Sequence, residues 1–247
     1  MLHLNLHFRN DFDNRQEHAD DNRRHDDSDR SVHVGHLRDI VGRYDDSSGL
    51  KTSGNITGFH RSNGSANGAS VQANVATESV SIGYVGNTVE AANYKDGNGQ
   101  ALVASRYKVR NNAIKVAALT GADVWTVAMG WQDIPFQGYP NQSMDMTYNK
   151  SFSINTGYTG NFDWGVLEAR AFRQHVRHKM DVLQDKAVAA GFPAASSYMP
   201  MDTDAVDMGY SVIGTAPFNE NQTVRFGHEF HRYALDDWWP ALVGSGA

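Results

Sequence analysis

The sequence has no cysteine and no long run of apolar residues, and each absence removes a class of protein. Zero Cys in 247 residues excludes disulfide bonds and thiolate metal sites within this chain. Hydrophobic residues make up 40% of the chain, but no uninterrupted apolar run approaches the ~18 residues that a transmembrane helix needs. A β-barrel passes this test, because only alternate residues of its strands face lipid.

The sequence also lacks an excess of positive charge, a secretion signal and recognisable catalytic motifs. The net charge is -6, so the chain lacks the excess of positive charge that nucleic-acid binding requires, and we predict no nucleic-acid partner. The stretch Met1 to Leu6 lacks the sustained apolar core of a secretion signal. There is no nucleophile–base grouping and no phosphate-binding glycine loop. We therefore expect neither an enzyme nor a bound cofactor.

Residues 1–46 differ in composition from the rest of the chain. They contain seven Arg, eleven Asp or Glu and six of the eleven His, and they contribute -4 of the net charge of -6. They show no apolar period and bury too little surface to offset chain entropy. We predict a disordered leader over residues 1–48. Two alternatives stay open, namely a His/Asp-rich tract that binds metal weakly and an out-of-frame reading of a GC-rich gene.

Alternation of polar and apolar residues begins after Gly49 and predicts an all-β protein. The clearest stretch is Pro140–Met180, in which two alternating runs flank the turn Thr159–Asp163. Successive side chains on a strand point to opposite faces, so this stretch is a hairpin with one apolar and one polar face. The second run lasts for about fifteen residues, against the ~5–6 residues of an ordinary globular strand. Strands of this length are typical of membrane-spanning barrels.

The connections between the predicted strands also follow a pattern. Short turns alternate with longer loops, among them Pro135–Met146 and Asp181–Thr203, as in barrels with tight turns at one rim and loops at the other. Trp125 and Trp131 share one strand face and suit the two aromatic girdles of such a barrel. The alternative is a soluble meander with buried tryptophans.

The predicted fold is an antiparallel up-and-down transmembrane β-barrel, of which about nine strands are present. Nine is an odd number, whereas bacterial single-chain barrels have even counts from ~8 to ~26. We therefore expect a partial barrel.

Short segments in chain order resemble the barrel of TonB-dependent outer-membrane receptors. They are Tyr94–Gly99, Gly138–Met146, Phe162–Arg170 and His178–Met180. Two later segments, Met199–Asp204 and Phe230–Pro240, resemble the copper-receptor branch of that family. The resemblance runs from Gly49 to Pro240 and does not include the first 46 residues.

The resemblance implies a barrel of about 22 strands with a plugged lumen, which takes up metal or metal-chelate substrates with energy from TonB. The sequence shows no signal peptide, TonB box or plug, and fewer than half of those strands. We expect residues 49–247 to be the N-terminal part of such a barrel, truncated at both ends and unable to transport alone. The resemblance implies a location in the Gram-negative outer membrane, with lipid as a partner and TonB as a partner of the full-length receptor only.

His178 and Met180 are the main candidate metal ligands. They lie two residues apart, so they share a strand face with Glu168, Arg170 and Gln174, and this polar face is the predicted lumen. An imidazole beside a thioether is a soft donor pair that suits copper, above all Cu(I). The resemblance implies that such a His-x-Met meets a Cys-x-x-x-Met of the plug, which this cysteine-free chain does not contain.

Methionines near the predicted outer loops are weaker candidates. Met144, Met146, Met199 and Met201 would form a mouth that passes soft metal inward, and Met208 is predicted to lie near the same loops. The alternative is that they pack the loops together. Copper is thus predicted as a transported substrate.

Two other functions stay open. One is a small self-contained outer-membrane barrel with a structural or binding role, which requires its last strand to pair with its first. The other is a secreted or periplasmic metal binder that acts through the leader.

Overall fold

The computed structural model describes residues 49–192 and 197–242, so the predicted leader over residues 1–48 lies outside the described residues. The described residues form one antiparallel sheet whose nine strands lie in chain order, which confirms the predicted all-β up-and-down fold. The strands are β1 Lys51–Arg61, β2 Ala66–Ala76, β3 Val80–Ala91, β4 Tyr107–Thr120, β5 Asp123–Gln137, β6 Asp145–Phe162, β7 Gly165–Asp181, β8 Met201–Asn219 and β9 Gln222–Trp238.

Helical structure is confined to the connections. A single 3-10 turn, Asn63–Ser65, lies between β1 and β2, and one short helix, α1, spans Gln184–Ala189 between β7 and β8. No helix among the described residues is long and apolar enough to cross a membrane.

Turns and loops alternate along the chain, as the sequence predicts. Turns of two or three residues (77–79, 121–122, 163–164 and 220–221) lie at one end of the strands, which we call the turn rim. The other connections (62–65, 92–106, 138–144 and 182–200) lie at the opposite end, the loop rim, and three of these four are long.

The turn predicted over Thr159–Asp163 is wrong in its bounds, because β6 continues to Phe162 and only residues 163–164 form the turn. The strands also continue further into two predicted loops than the sequence indicates. β5 extends through Pro135 to Gln137, because the pairing with β4 shifts by one residue between Asp133 and Phe136. Such a bulge accommodates a proline, which has no N–H to give to the ladder. At the second loop, β8 begins at Met201, and α1 occupies part of a segment that the sequence predicts as irregular.

The strand register defines two faces, because residues paired directly across antiparallel strands project to the same side. One side, the apolar face, carries a band of apolar side chains near the turn rim, which is narrower on β7, where Arg173 lies opposite Ile154 and Met208. The other side, the polar face, carries amides, hydroxyls and charged groups. Representative members of the apolar face are Val80, Ile82, Ile114, Val116, Val127, Met129, Ile154, Val212 and Phe226, and representative members of the polar face are Asn111, Lys115, Ser153, Asn155, Glu168, Arg170, Gln174 and Ser211.

Aromatic side chains border the apolar band. Trp125 contacts Tyr158 with ring centroids 4.4 Å apart, and Trp131 is paired with Phe152 six residues further along β5. Trp125 is 52% exposed and Trp131 is 39% exposed. The alternative of a meander that buries these tryptophans is therefore wrong for the described chain.

The ends of the sheet are β1 and β9. Both strands run from the turn rim to the loop rim, so an antiparallel pairing between them is impossible. Within the described residues they are not paired with each other, which is the pairing that the self-contained barrel requires.

Candidate metal site at the loop rim

Three methionines form one row across the polar face next to the loop rim. Met180 of β7 is paired in register with Met146 of β6 on one side and with Met201 of β8 on the other. Paired residues of this kind have Cα atoms roughly 5 Å apart and project to the same side. We call Met146, Met180 and Met201 the methionine row.

His178 lies on the same face, two residues before Met180. The pairing of β7 with β8 has no break from Val166 to Met180, so the strand keeps its alternation. His178, Met180 and the polar residues Glu168, Arg170 and Gln174 therefore share one side of the sheet, as the sequence predicts. All members of the methionine row and His178 are half-buried.

The other candidate methionines lie outside this row. Met144 is in the loop that precedes β6, and Met199 is in the loop that precedes β8, where it is 40% exposed. The prediction that Met208 lies near the loops is wrong, because Met208 is inside β8 on the apolar face, opposite Arg173 and Arg232.

A chain of hydrogen-bonded amides runs across the polar face and ends at His178. His178 Nδ1 lies 3.1 Å from Asn149 Oδ1, Asn149 Nδ2 donates to Gln132 Oε1 (3.0 Å), Gln132 Nε2 donates to Asn111 Oδ1 (2.7 Å), and Asn111 Nδ2 donates to Asn87 Oδ1 (3.0 Å). Because Asn149 Nδ2 donates to Gln132, the atom of Asn149 that faces His178 is Oδ1, and an amide oxygen can only accept a hydrogen bond. With the amide of Asn149 placed in this way, the imidazole donates from Nδ1, and the lone pair of Nε2 is left for a metal.

Asp145 fixes the start of β6 directly before Met146. Its side chain is fully buried and accepts hydrogen bonds from the backbone N–H groups of Tyr139 (2.8 Å) and Leu183 (2.9 Å). Lys186 Nζ of α1 completes the set at 2.8 Å. The carboxylate is thus satisfied by its neighbours and ties the 138–144 loop, the 182–200 loop and β6 together. Burial raises the pKa of Tyr139, and the charge of Asp145 adds to this effect.

Asp181 fixes the end of β7 directly after Met180, and it is paired with Asp145 in the β6–β7 register. Asp181 Oδ1 accepts backbone N–H groups from Val182 (2.8 Å), Tyr198 (2.9 Å) and Met199 (2.6 Å). The two buried carboxylates therefore hold the ends of both strands that carry Met146 and Met180.

Asp185 of α1 connects the 92–106 loop to the same assembly. Its Oδ2 accepts from Asn93 Nδ2 (2.7 Å) and the Ala104 N–H (3.0 Å), and the Arg106 guanidinium lies 3.7 Å from Oδ1. Burial raises the pKa of Asp185, but the hydrogen bonds from Ala104 and Asn93 and the charge of Arg106 outweigh burial, so the net pKa is lowered. The ionised form is the one that holds the loop.

The donors collected here are three thioethers and one imidazole, a set of soft neutral ligands that matches Cu(I). Within residues 49–192 and 197–242, no group of three His, Cys, Asp or Glu side chains is arranged to hold a metal ion. The sequence identified each methionine of the row but not the row itself. It also missed Asn149, Gln132 and Asn111, although amides at polar-face positions of neighbouring strands were a visible signal.

No family model matches the chain, and no curated protein sequence matches it. Among solved structures, the chain is similar to a copper transporter, OprC, with a TM-score of 0.63 and 18% sequence identity. The match covers 78% of this chain and 29% of that chain, so this chain corresponds to less than a third of the transporter's length. At this identity the similarity concerns the fold alone, and the described strands share the fold of part of the copper transporter OprC.

Proposed function

We propose that this chain forms part of the wall of an outer-membrane barrel that takes up copper, as Cu(I) or a related metal complex. The observation that carries the proposal is the methionine row with His178 on the polar face of a long antiparallel sheet. The fold shared with part of a copper transporter supports it. In the proposal, outer-membrane lipid is a partner of this chain, and TonB is a partner of the full-length receptor of which this chain is a portion.

The two faces of the sheet support the proposed orientation. The apolar face would contact lipid, because its apolar band is bordered by aromatic residues such as Trp125 and Trp131. Beyond that band, toward the loop rim, the same face carries ion pairs including Glu90–Lys108 (2.6 Å). The polar face would line the lumen, so His178 and the methionine row would meet substrate that arrives past the loops.

The chemistry of the donors suits uptake. Thioethers are neutral, soft ligands that bind Cu(I) and discriminate against hard cations such as Mg²⁺ and Ca²⁺. A row of individually weak donors lets an ion move from one to the next, because a transported ion has to leave each site as well as enter it. In this arrangement His178 lies one step inward from the methionine row, and Asn149 orients the imidazole.

The test is Cu(I) titration of the full chain folded in detergent micelles, in competition with a chromogenic Cu(I) chelator. We expect Met180→Leu to lower the affinity by at least the ~10–100-fold that loss of an outer hydrogen-bond partner produces at metal sites. Met129→Leu is the matched control, because Met129 lies on the apolar face of β5. Equal affinity of Met180→Leu and the unmodified chain would contradict the proposed site.

A second variant separates this site from the leader. Replacing the six leader histidines by Ala in the full chain leaves the Cu(I) affinity unchanged if the methionine row is the site. A loss of Cu(I) binding in that variant, with Met180→Leu unaffected, would assign binding to the leader instead. The replaced residues are His3, His7, His18, His25, His33 and His36.

A further inference from the structure

The apolar face carries a groove at the loop-rim side of its apolar band. The groove has a volume of about 480 Å³ and is lined by residues of β4, β5 and β6. Three of these residues are cations, one is an acid, and two are aromatic: Lys108, Arg110, Lys150, Asp133, Tyr148 and Phe136.

The charges around the groove do not balance. Lys108 is paired with Glu90 at 2.6 Å, and Arg110 is paired with Asp133 at 3.3 Å. Lys150 has no carboxylate within 4 Å among the residues that the structure describes. Asp133 is paired directly with Lys150 in the β5–β6 register, but its carboxylate binds Arg110, so the three cations and two acids leave one net positive charge around the groove.

A further cation with its own acidic partner lies beside Lys150 on the next strand. Lys150 is paired directly with Arg177 in the β6–β7 register, and like charges in this position are destabilising. Arg177 has Asp204 at 3.3 Å, whereas the Nζ atom of Lys150 lies over the ring of Tyr148, 5.4 Å from its centroid. An anion bound beside Lys150 would relieve this repulsion.

The groove opens onto the apolar band. Trp131 lies two residues from Asp133 on β5, and Phe152 lies two residues from Lys150 on β6, so both rings are on the same face one step nearer the turn rim. A ligand in the groove would thus have cations at one end and aromatic rings at the other.

We infer that this groove binds the phosphate-bearing head group of an anionic membrane lipid, whose acyl chains lie along Trp131 and Phe152. Lysine and arginine side chains make charge-assisted hydrogen bonds to phosphate oxygens, and the apolar band contacts the chains. The inference rests on the proposed function, because it requires the apolar face to contact lipid. It adds a lipid site on the side of the sheet opposite to the methionine row.

The test uses two lipids with identical brominated acyl chains, phosphatidic acid and phosphatidylcholine, added to the full chain in zwitterionic detergent micelles. Bromine quenches tryptophan fluorescence on contact, and the difference from a Trp131→Phe variant isolates the signal of Trp131. We expect phosphatidic acid to quench Trp131 at a lower mole fraction than phosphatidylcholine. Lys150→Gln should weaken the phosphatidic acid effect by roughly fivefold, which is what loss of one cation near a lipid head group costs.

Lys115→Gln is the matched control, because it removes one exposed lysine from the polar face of β4. Equal quenching by the two lipids, or equal effects of the two lysine variants, would overturn the lipid site. Neither result would contradict the proposal that the apolar face contacts lipid. Failure of both lipids to quench Trp131 would overturn the lipid site and the lipid-facing wall together.

Discussion

Asn149 is the residue on which the state of His178 depends. Its oxygen faces the imidazole because its nitrogen is already committed to Gln132 at 3.0 Å. The amides of Gln132 and Asn111 continue this order across two more strands. Linked hydrogen bonds of this kind strengthen one another and restrict the arrangements of their members.

We expect Asn149→Ala to lower the affinity for Cu(I) by ~10–100-fold, because the imidazole loses the partner that fixes its tautomer and orientation. The measurement is chelator competition in micelles. Asn155→Ala is the control, since Asn155 lies on the same strand and face but is paired with Ala128 and Phe172. Equal losses in the two variants would show that Asn149 has no special role.

The ammonium group of Lys186 neutralises the carboxylate of Asp145, which is fully buried at the start of β6. We expect Lys186→Met to reduce the free energy of unfolding by ~3–5 kcal/mol, because it leaves a buried charge without its partner. Lys179→Met should cost only ~0–1 kcal/mol, because the Lys179–Asp202 pair is exposed on its lysine side. Denaturant unfolding in micelles measures both, and similar costs would contradict this account.

At the scale of elements, the loop rim is held together by α1 and the loops that meet it. Gly138 allows the closest of these contacts, since a Cβ at this position would lie 2.1 Å from the carbonyl oxygen of Ala104, which is itself fully buried. The 138–144 loop and the 92–106 loop can approach each other only because residue 138 has no side chain.

We therefore expect Gly138→Ala to destabilise the folded chain by ~1–3 kcal/mol, the usual cost of overpacking. Gly97→Ala is the control, because a Cβ at residue 97 meets nothing within 4 Å. Denaturant unfolding followed by tryptophan fluorescence measures the difference. An unchanged midpoint for Gly138→Ala would mean that the two loops separate without cost.

The contact between α1 and the 92–106 loop should depend on pH. The pKa of Asp185 is lowered in the folded chain, so the stability that it contributes is fully present above the ordinary carboxyl pKa and is lost as the pH falls through the lowered value. We expect hydrogen exchange at the Ala104 amide, which donates to Asp185, to lose protection in acid. Asp185→Asn should remove this pH dependence, and its persistence in that variant would assign the effect to another group.

At the scale of the whole sheet, two features favour the association of one copy of the chain with another in water. The strands β1 and β9 have unpaired edges within the described residues, and the apolar face carries large exposed side chains such as Trp125 and Phe226. Unpaired edges and apolar patches of this kind promote aggregation in water, whereas lipid or detergent covers the apolar face.

We expect the folded chain to aggregate when detergent is diluted below its micelle concentration, as followed by light scattering. Val127→Lys should reduce this aggregation, because it places a charge in the middle of the apolar band. Thr126→Lys, on the polar face of the same strand, should have little effect. Equal behaviour of the two variants would show that the apolar face does not drive association.

Features that depend on a period of two residues can be read from the sequence alone. It predicted nine strands, two faces, alternating turns and loops, and a shared side for His178 and Met180, because neighbouring residues of one strand settle these features. Which residues of different strands meet depends on the three-dimensional fold. Met201 comes beside Met180 across the 182–200 loop, whose length does not fix the register, and Met146 comes beside Met180 through a bulge between Met146 and Tyr148 in the β6–β7 hairpin. The bulge that admits Pro135 and the position of α1 depend on the same long-range contacts, so the metal site follows from the register rather than from local sequence.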